Sequence, residues 1–210
     1  MRAAFALALI VAMAAIACDR GKPAGEPQGS AGSTAPFDDS EQARFDSERR
    51  PDKLVEALAL KPGSRVADIG AGSGLLTVHL ARAVAPNGKV IATDVDGAVL
   101  DLLAQRLKAA KLDGVVEPRV VAADTPGLEP GAYDAILLAE VDHFFSDPVA
   151  WLKSAAAALK PGGRIVLSNR IHHRTASLAA VQKAGLVVKN ESSPMPSHFI
   201  AVLVAAPGKP

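Results

Sequence analysis

Seven consecutive residues, D-I-G-A-G-S-G from Asp68 to Gly74, carry the densest chemical signal in the chain. An acidic side chain stands ahead of three glycines at alternate positions, Gly70, Gly72 and Gly74. Glycine lets backbone turn sharply and approach a ligand closely. The apolar run Arg65 to Ile69 before them reads as a buried strand, and Leu75, Val78 and the Leu80/Ala81 pair after them recur at helical spacing. Strand, glycine turn and helix aim backbone N–H groups and the positive end of a helix dipole at one point, which suits an anionic or nucleotide-like ligand. Asp94 follows Gly74 by 20 residues and ends a second apolar run, where an acidic side chain can accept from ribose hydroxyls. The dinucleotide fingerprint fails, because Leu75 stands where its third glycine belongs. The phosphate-loop pattern fails too, since no Gly-Lys-Ser/Thr follows.

Acid–base chemistry has one leading candidate, His143, just beyond the carboxyl end of an apolar strand and of the residue type most used for proton transfer. A structural histidine bonded to backbone is the equal alternative. Asp142 and Glu140 are weaker candidates beside it. His172, His173 and Arg174 could greet an anionic substrate or form a solvated loop before a helix. Arg49 and Arg50 could close over a ligand, whereas Asp147 before Pro148 reads as a helix cap. No third ligand completes a metal site.

Several classes are disfavoured by composition. A formal net charge of +1 offers no electrostatic case for nucleic acid, and 4% aromatic residues make a stacking platform for single strands unsuitable. The single cysteine, Cys18, excludes a disulfide or cysteine-rich metal site in the domain. Residues 1–17 read as a secretory signal peptide: Arg2, an apolar run too short to span a bilayer comfortably, and small residues at its end. With Cys18 next, the stretch resembles a bacterial lipoprotein signal, which implies a lipid anchor at Cys18 and an exported, membrane-held domain at the cell envelope. Residues 18–36, dense in Gly, Pro and Ser, form a tether with a reach on the order of 25 Å. The domain is then residues 37–210.

Within it, Phe37 to Arg50 is charged and weakly amphipathic, and Pro51 opens a helix bearing Leu54, Val55 and Leu58. Strands are expected at Arg65 to Ile69, Lys89 to Thr93, Arg119 to Ala122, Tyr133 to Leu138 and Arg164 to Ser168, with Lys160 to Gly163 a tight turn before the last. Helices are expected from near Leu75, from Gly97 to Ala110, from Pro148 to Leu159 and from Thr175 to Ala184. Two final strands, Leu186 to Asn190 and His198 to Val204, are joined by a segment too short for a crossover and should be antiparallel. The alternation argues an α/β, doubly wound, seven-stranded and mostly parallel sheet with a C-terminal antiparallel hairpin.

From about Arg49 onward the chain resembles class I S-adenosylmethionine-dependent methyltransferases, nearest the small ubiquinone/menaquinone C-methyltransferase-like group. The resemblance rests on VADIGAGSG, on VIATDVD, on YDAILLAEVDHFFSDP and on LKPGGRIVL, in that order. It implies a Rossmann-like fold, S-adenosyl-L-methionine as cofactor and a small-molecule, lipid or protein nucleophile as acceptor. Asp68 would orient the methionine end while Gly70, Gly72 and Gly74 let backbone approach. Asp94 would hold the ribose, with Val95 beside it, Asp124 would meet the adenine amine, and Ala139 and Glu140 would line the floor. The sulfonium methyl is already electrophilic, so the protein must mainly align a nucleophile and exclude water. A non-catalytic cofactor-binding lipoprotein is the alternative, since export separates the domain from a cofactor made in the cytosol.

Overall fold

The computed structural model describes residues 39–206; the stretches read above as a signal peptide and a tether, with Cys18 and Phe37, lie outside them. Thirteen regular elements run in the order α1 (Asp39–Arg49), α2 (Pro51–Leu58), β1 (Arg65–Ile69), α3 (Thr77–Val84), β2 (Lys89–Asp94), α4 (Gly97–Ala109), β3 (Val116–Val120), β4 (Tyr133–Ala139), α5 (Pro148–Ala158), β5 (Leu159–Arg170), α6 (Arg174–Lys183), β6 (Leu186–Met195) and β7 (His198–Ala205). The seven strands form one sheet in the order β3-β2-β1-β4-β5-β7-β6.

Period-2 side-chain alternation divides the strands between two buried faces. Val66, Val90, Leu137 and Val166 pack with Leu54, Leu58, Leu80 and Leu103 from α2, α3 and α4. Their neighbours Ala67, Ile91, Ile136, Leu138 and Ile165 pack with Trp151, Leu152 and Val181 from α5 and α6. Fully burying one such aliphatic side chain is worth roughly 1.5–3 kcal/mol, so both layers are needed to hold the sheet. This is the doubly wound arrangement that the alternation of elements predicts.

The C-terminal pair forms the expected antiparallel hairpin, and what the sequence leaves open is its placement, with β7 lying between β5 and β6. β7 is antiparallel to both β5 and β6, so β6 runs parallel to the first five strands and only β7 runs counter. The crossover through α6 carries β6 past the adjacent position, and β7 turns back to fill that gap. The two strands extend to Met195 and from His198, leaving only Pro196 and Ser197 between them rather than the longer connection expected. The reversal has a functional consequence: the first residue of β7, His198, pairs with Arg170, the last residue of β5, at the sheet's carboxyl edge.

Smaller corrections have local causes. β3 is Val116–Val120 rather than 119–122, because Val116 enters the core while Val120 faces outward on the edge strand. Pro118, which lacks an N–H, is tolerated there. Lys160 to Gly163 loops out as an irregularity within β5: Tyr133 pairs with Leu159 and Ala135 already with Arg164. Regular helix begins at Thr77 rather than near Leu75, although the Gly74 carbonyl already accepts from the Val78 N–H.

α1 buries little apolar surface and is held mainly by polar contacts. Asp46 accepts from His79 Nε2 at 2.8 Å, Glu41 accepts from Arg106 Nη2 at 2.6 Å, and Gln42 donates to the Leu75 carbonyl at 3.1 Å. Arg106 also donates to the Ser73 carbonyl at 2.9 Å. These bonds lay α1 over the glycine turn.

Candidate active site

Two cavities meet at the carboxyl edge of the sheet. The smaller, about 270 Å³, is floored by Asp68, Ala139 and Glu140, walled by the turn from Gly70 to Ser73, and roofed by Phe45 and Arg49 of α1. Gly72 has φ +55, a conformation open chiefly to glycine, and a Cβ built on it meets nothing within 4 Å. Gly74 differs: a Cβ there falls 2.9 Å from Leu103 Cγ, so this glycine lets α4 pack on the turn.

Asp68 is buried and accepts from Thr77 Oγ1 at 2.7 Å. Burial pushes its carboxyl up to about 6; the Thr77 hydroxyl opposes the shift, and the Asp94 charge adds to it. Asp94, half-buried at the end of β2, accepts from the Gly72 N–H at 2.9 Å and from the Asp96 N–H at 3.1 Å. Val95 beside it is an exposed apolar side chain. Asp94 is thus bonded to the glycine turn itself, and Asp68 to the first residue of the helix that follows the turn.

The larger cavity, about 610 Å³, is lined by Arg49, Arg50, Glu140, Arg170, Met195 and His198, among others. Arg49 and Glu140 line both cavities and form an ion pair. Glu140 also accepts from His198 Nε2 at 2.5 Å and lies 3.7 Å from Arg170 Nε. Burial pushes the Glu140 carboxyl up, but the charge of Arg49, the His198 hydrogen bond and the Arg170 charge together hold it below the usual range. Its backbone has φ +55, and its N–H donates to the Ser168 carbonyl at 2.8 Å.

The structure brings Asp68, Gly70, Gly72, Ala139 and Glu140 together around the smaller cavity. Asp124 sits in the loop after β3 at φ +62, and its Oδ1 accepts from the Ser146 N–H at 2.7 Å, tying that loop to the one after β4. His143 is exposed and lines neither of these two cavities. Its Nδ1 lies 2.9 Å from Asn169 Nδ2, and its ring stacks on His173 at 4.3 Å. Asp142 is buried, accepting from Asn169 Nδ2 at 2.7 Å and Ser177 Oγ at 2.5 Å. Asp147 caps α5 through the Ala150 N–H at 2.9 Å, and Arg174 is engaged by Glu191. Sequence reasoning missed His198, Arg170 and Thr77; nothing local marks His198, which starts an ordinary apolar strand.

Residues 67–165 match a family model described as a methyltransferase domain. The structure superposes on a SAM-dependent methyltransferase from Aquifex aeolicus with a TM-score of 0.69 and 22% identity, over 80% of this chain and 98% of that one. The fold is that of the S-adenosylmethionine-dependent methyltransferases. Geranyl diphosphate C-methyltransferase from Streptomyces coelicolor, solved with Mg2+, geranyl diphosphate and S-adenosyl-L-homocysteine, has a TM-score of 0.65 at 17% identity, covering 80% of this chain and 82% of its own. A ubiquinone biosynthesis O-methyltransferase of Xanthomonas campestris is 35% identical over 125 residues, 57% of this chain and 48% of that protein. The corresponding protein of Xylella fastidiosa is 34% identical over 146 residues, 67% of this chain and 55% of its own. The chain therefore spans about half the length of the curated relatives it matches.

Proposed function

We propose that this chain is an S-adenosylmethionine-dependent methyltransferase, with the methyl donor in the smaller cavity and a small-molecule acceptor in the larger. The observation that carries this reading is the adjacency of the two cavities: one pair, Arg49–Glu140, stands at the boundary a methyl group must cross.

The residues present fit the cofactor. The buried Asp68 carboxylate suits an ammonium, Gly72 leaves room for close approach, and exposed Val95 next to Asp94 offers an apolar seat beside a ribose-binding carboxylate. Bound there, the cofactor supplies an electrophilic methyl group on a sulfonium. The protein's own part is orientation and exclusion of water: α1 roofs the cavity with Phe45 and Arg49, and Ala139 and Glu140 floor it.

Calorimetry of the full chain against S-adenosylmethionine, S-adenosylhomocysteine and NAD tests this. Binding of the first two and not NAD is expected, and no binding at millimolar S-adenosylmethionine overturns the reading. Binding without methyl transfer to any quinone, lipid or protein fraction would favour the non-catalytic alternative. We also infer that Cys18 is lipidated and holds the domain at the cell envelope; palmitate labelling that survives Cys18→Ser would refute this.

A further inference from the structure

The larger cavity carries more charge-bearing donors than acceptors. Arg50 is chelated by Asp52 at 2.9 and 2.8 Å, and Glu48 stands exposed at the rim. That leaves Arg49, Arg170 and His198 converging on the single carboxylate of Glu140. Arg49 is mostly buried, and its Nε has no hydrogen-bond partner. Burial lowers its basicity more than Glu140 restores it, and the nearby Arg170 charge works in the same direction as burial. Arg170 is largely exposed and only loosely paired, at 3.7 Å. Two guanidiniums facing one shared carboxylate leave room for one more anion.

The same wall holds a chain of hydrogen bonds with a fixed direction. Ionised Glu140 can only accept, so the His198 proton sits on Nε2, 2.5 Å from Glu140 Oε1. His198 Nδ1 is then an acceptor, and the Ser197 hydroxyl, 2.8 Å away, donates to it. The Ser197 oxygen keeps lone pairs for a donor arriving from the cavity that it lines. Glu140 steadies the imidazolium that forms when His198 takes a second proton.

We propose that the larger cavity binds an acceptor carrying both an anionic group, carboxylate or phosphate, and a hydroxyl: Arg170 and Arg49 hold the anion, and Ser197 and His198, steadied by Glu140, take the hydroxyl proton. The acceptor O–H bond breaks as its proton passes to Ser197 Oγ and the Ser197 proton passes to His198 Nδ1. The freed oxygen pair forms the O–CH3 bond, and the S–CH3 bonding pair returns to sulfur, giving a thioether and a methyl ether. A cavity of about 610 Å³ has the size of a site for one small molecule. This rests on the methyltransferase reading, and its test separates the two.

The full chain is saturated with S-adenosylhomocysteine and titrated calorimetrically with hydroxy acids, aliphatic and aromatic, as carboxylates and as phosphate esters. Each is run beside its neutral alcohol and its deoxy counterpart. At least one hydroxy acid should bind about tenfold or more tightly than its neutral partner. Arg170→Ala should erase that preference while S-adenosylhomocysteine affinity stays unchanged. Ser197→Ala should erase the preference for the hydroxyl over the deoxy compound and leave the preference for the anion. The carboxylate and phosphate arms tell which anion the site takes. No binding by any acid at millimolar concentration, equal binding of acid and neutral partner, or a preference that survives Arg170→Ala would overturn the proposal. Failure of S-adenosylhomocysteine itself to bind would instead overturn the methyltransferase reading.

Discussion

Replacing Asp68 by Asn should stabilise the protein above pH 6 and weaken its hold on the cofactor, a trade that follows from one buried carboxyl. Its folded pKa is raised from 3.8 to about 6, chiefly by burial. A group whose folded pKa is raised contributes stability that is fully present below its unfolded value and is lost as pH rises through the folded value. At about 1.36 kcal/mol per unit, the roughly two-unit shift amounts to a penalty of about 3 kcal/mol once the pH is well above 6. Asn is neutral throughout and can still accept from Thr77 Oγ1, so it removes the penalty, less about 1 kcal/mol if its amide finds no partner. Urea unfolding of both proteins between about pH 4 and pH 8 should show the variant equal to or slightly below the parent at the acid end and about 2–3 kcal/mol more stable at the other. An ammonium placed beside Asp68 draws its pKa back down. The parent's affinity for S-adenosylmethionine should therefore strengthen as pH rises through 6, with proton release on binding below it, and the Asn variant should lose this dependence. A stability difference that does not change with pH, or a parent affinity that is flat across the range, would refute the reasoning.

Other perturbations separate packing from binding. Gly74→Ala puts a Cβ 2.9 Å from Leu103 Cγ at φ +86, and should cost about 2–4 kcal/mol in denaturant unfolding, because strain and overpacking add. Gly72→Ala at φ +55 meets open space, so calorimetry should show lost cofactor affinity with only about 1–2 kcal/mol of destabilisation. Asp94→Ala should abolish S-adenosylmethionine binding in calorimetry while circular dichroism remains that of the parent. His143→Ala, outside both cavities, should leave that affinity unchanged; a drop of about tenfold would bring the imidazole back into the site.

Local spacing determined much of this protein. The glycines after Asp68, the acidic end of β2 and the alternation of strand and helix are short-range patterns, and the backbone follows them wherever the apolar residues have two faces to fill. Residues whose neighbours in sequence are their neighbours in space, such as Gly72 and the Asp147 cap, were legible for that reason. The placement of β7 was not, because it depends on β6 passing beyond the position next to β5, which no local pattern encodes. That reversal carries His198 to Glu140, 58 residues away in sequence, while α1 carries Arg49 to the same carboxylate from 91 residues away. His143 shows the converse. Its position after β4 is where open sheets bind ligands, yet the short turn of Asp142 to Phe144, pinned through Asn169 and Ser177, directs it to the surface beside His173. The sequence determined the glycine turn because its parts are contiguous. Only tertiary packing decided the wall facing it, because that wall is assembled from α1, the end of β4 and the start of a strand that runs backwards.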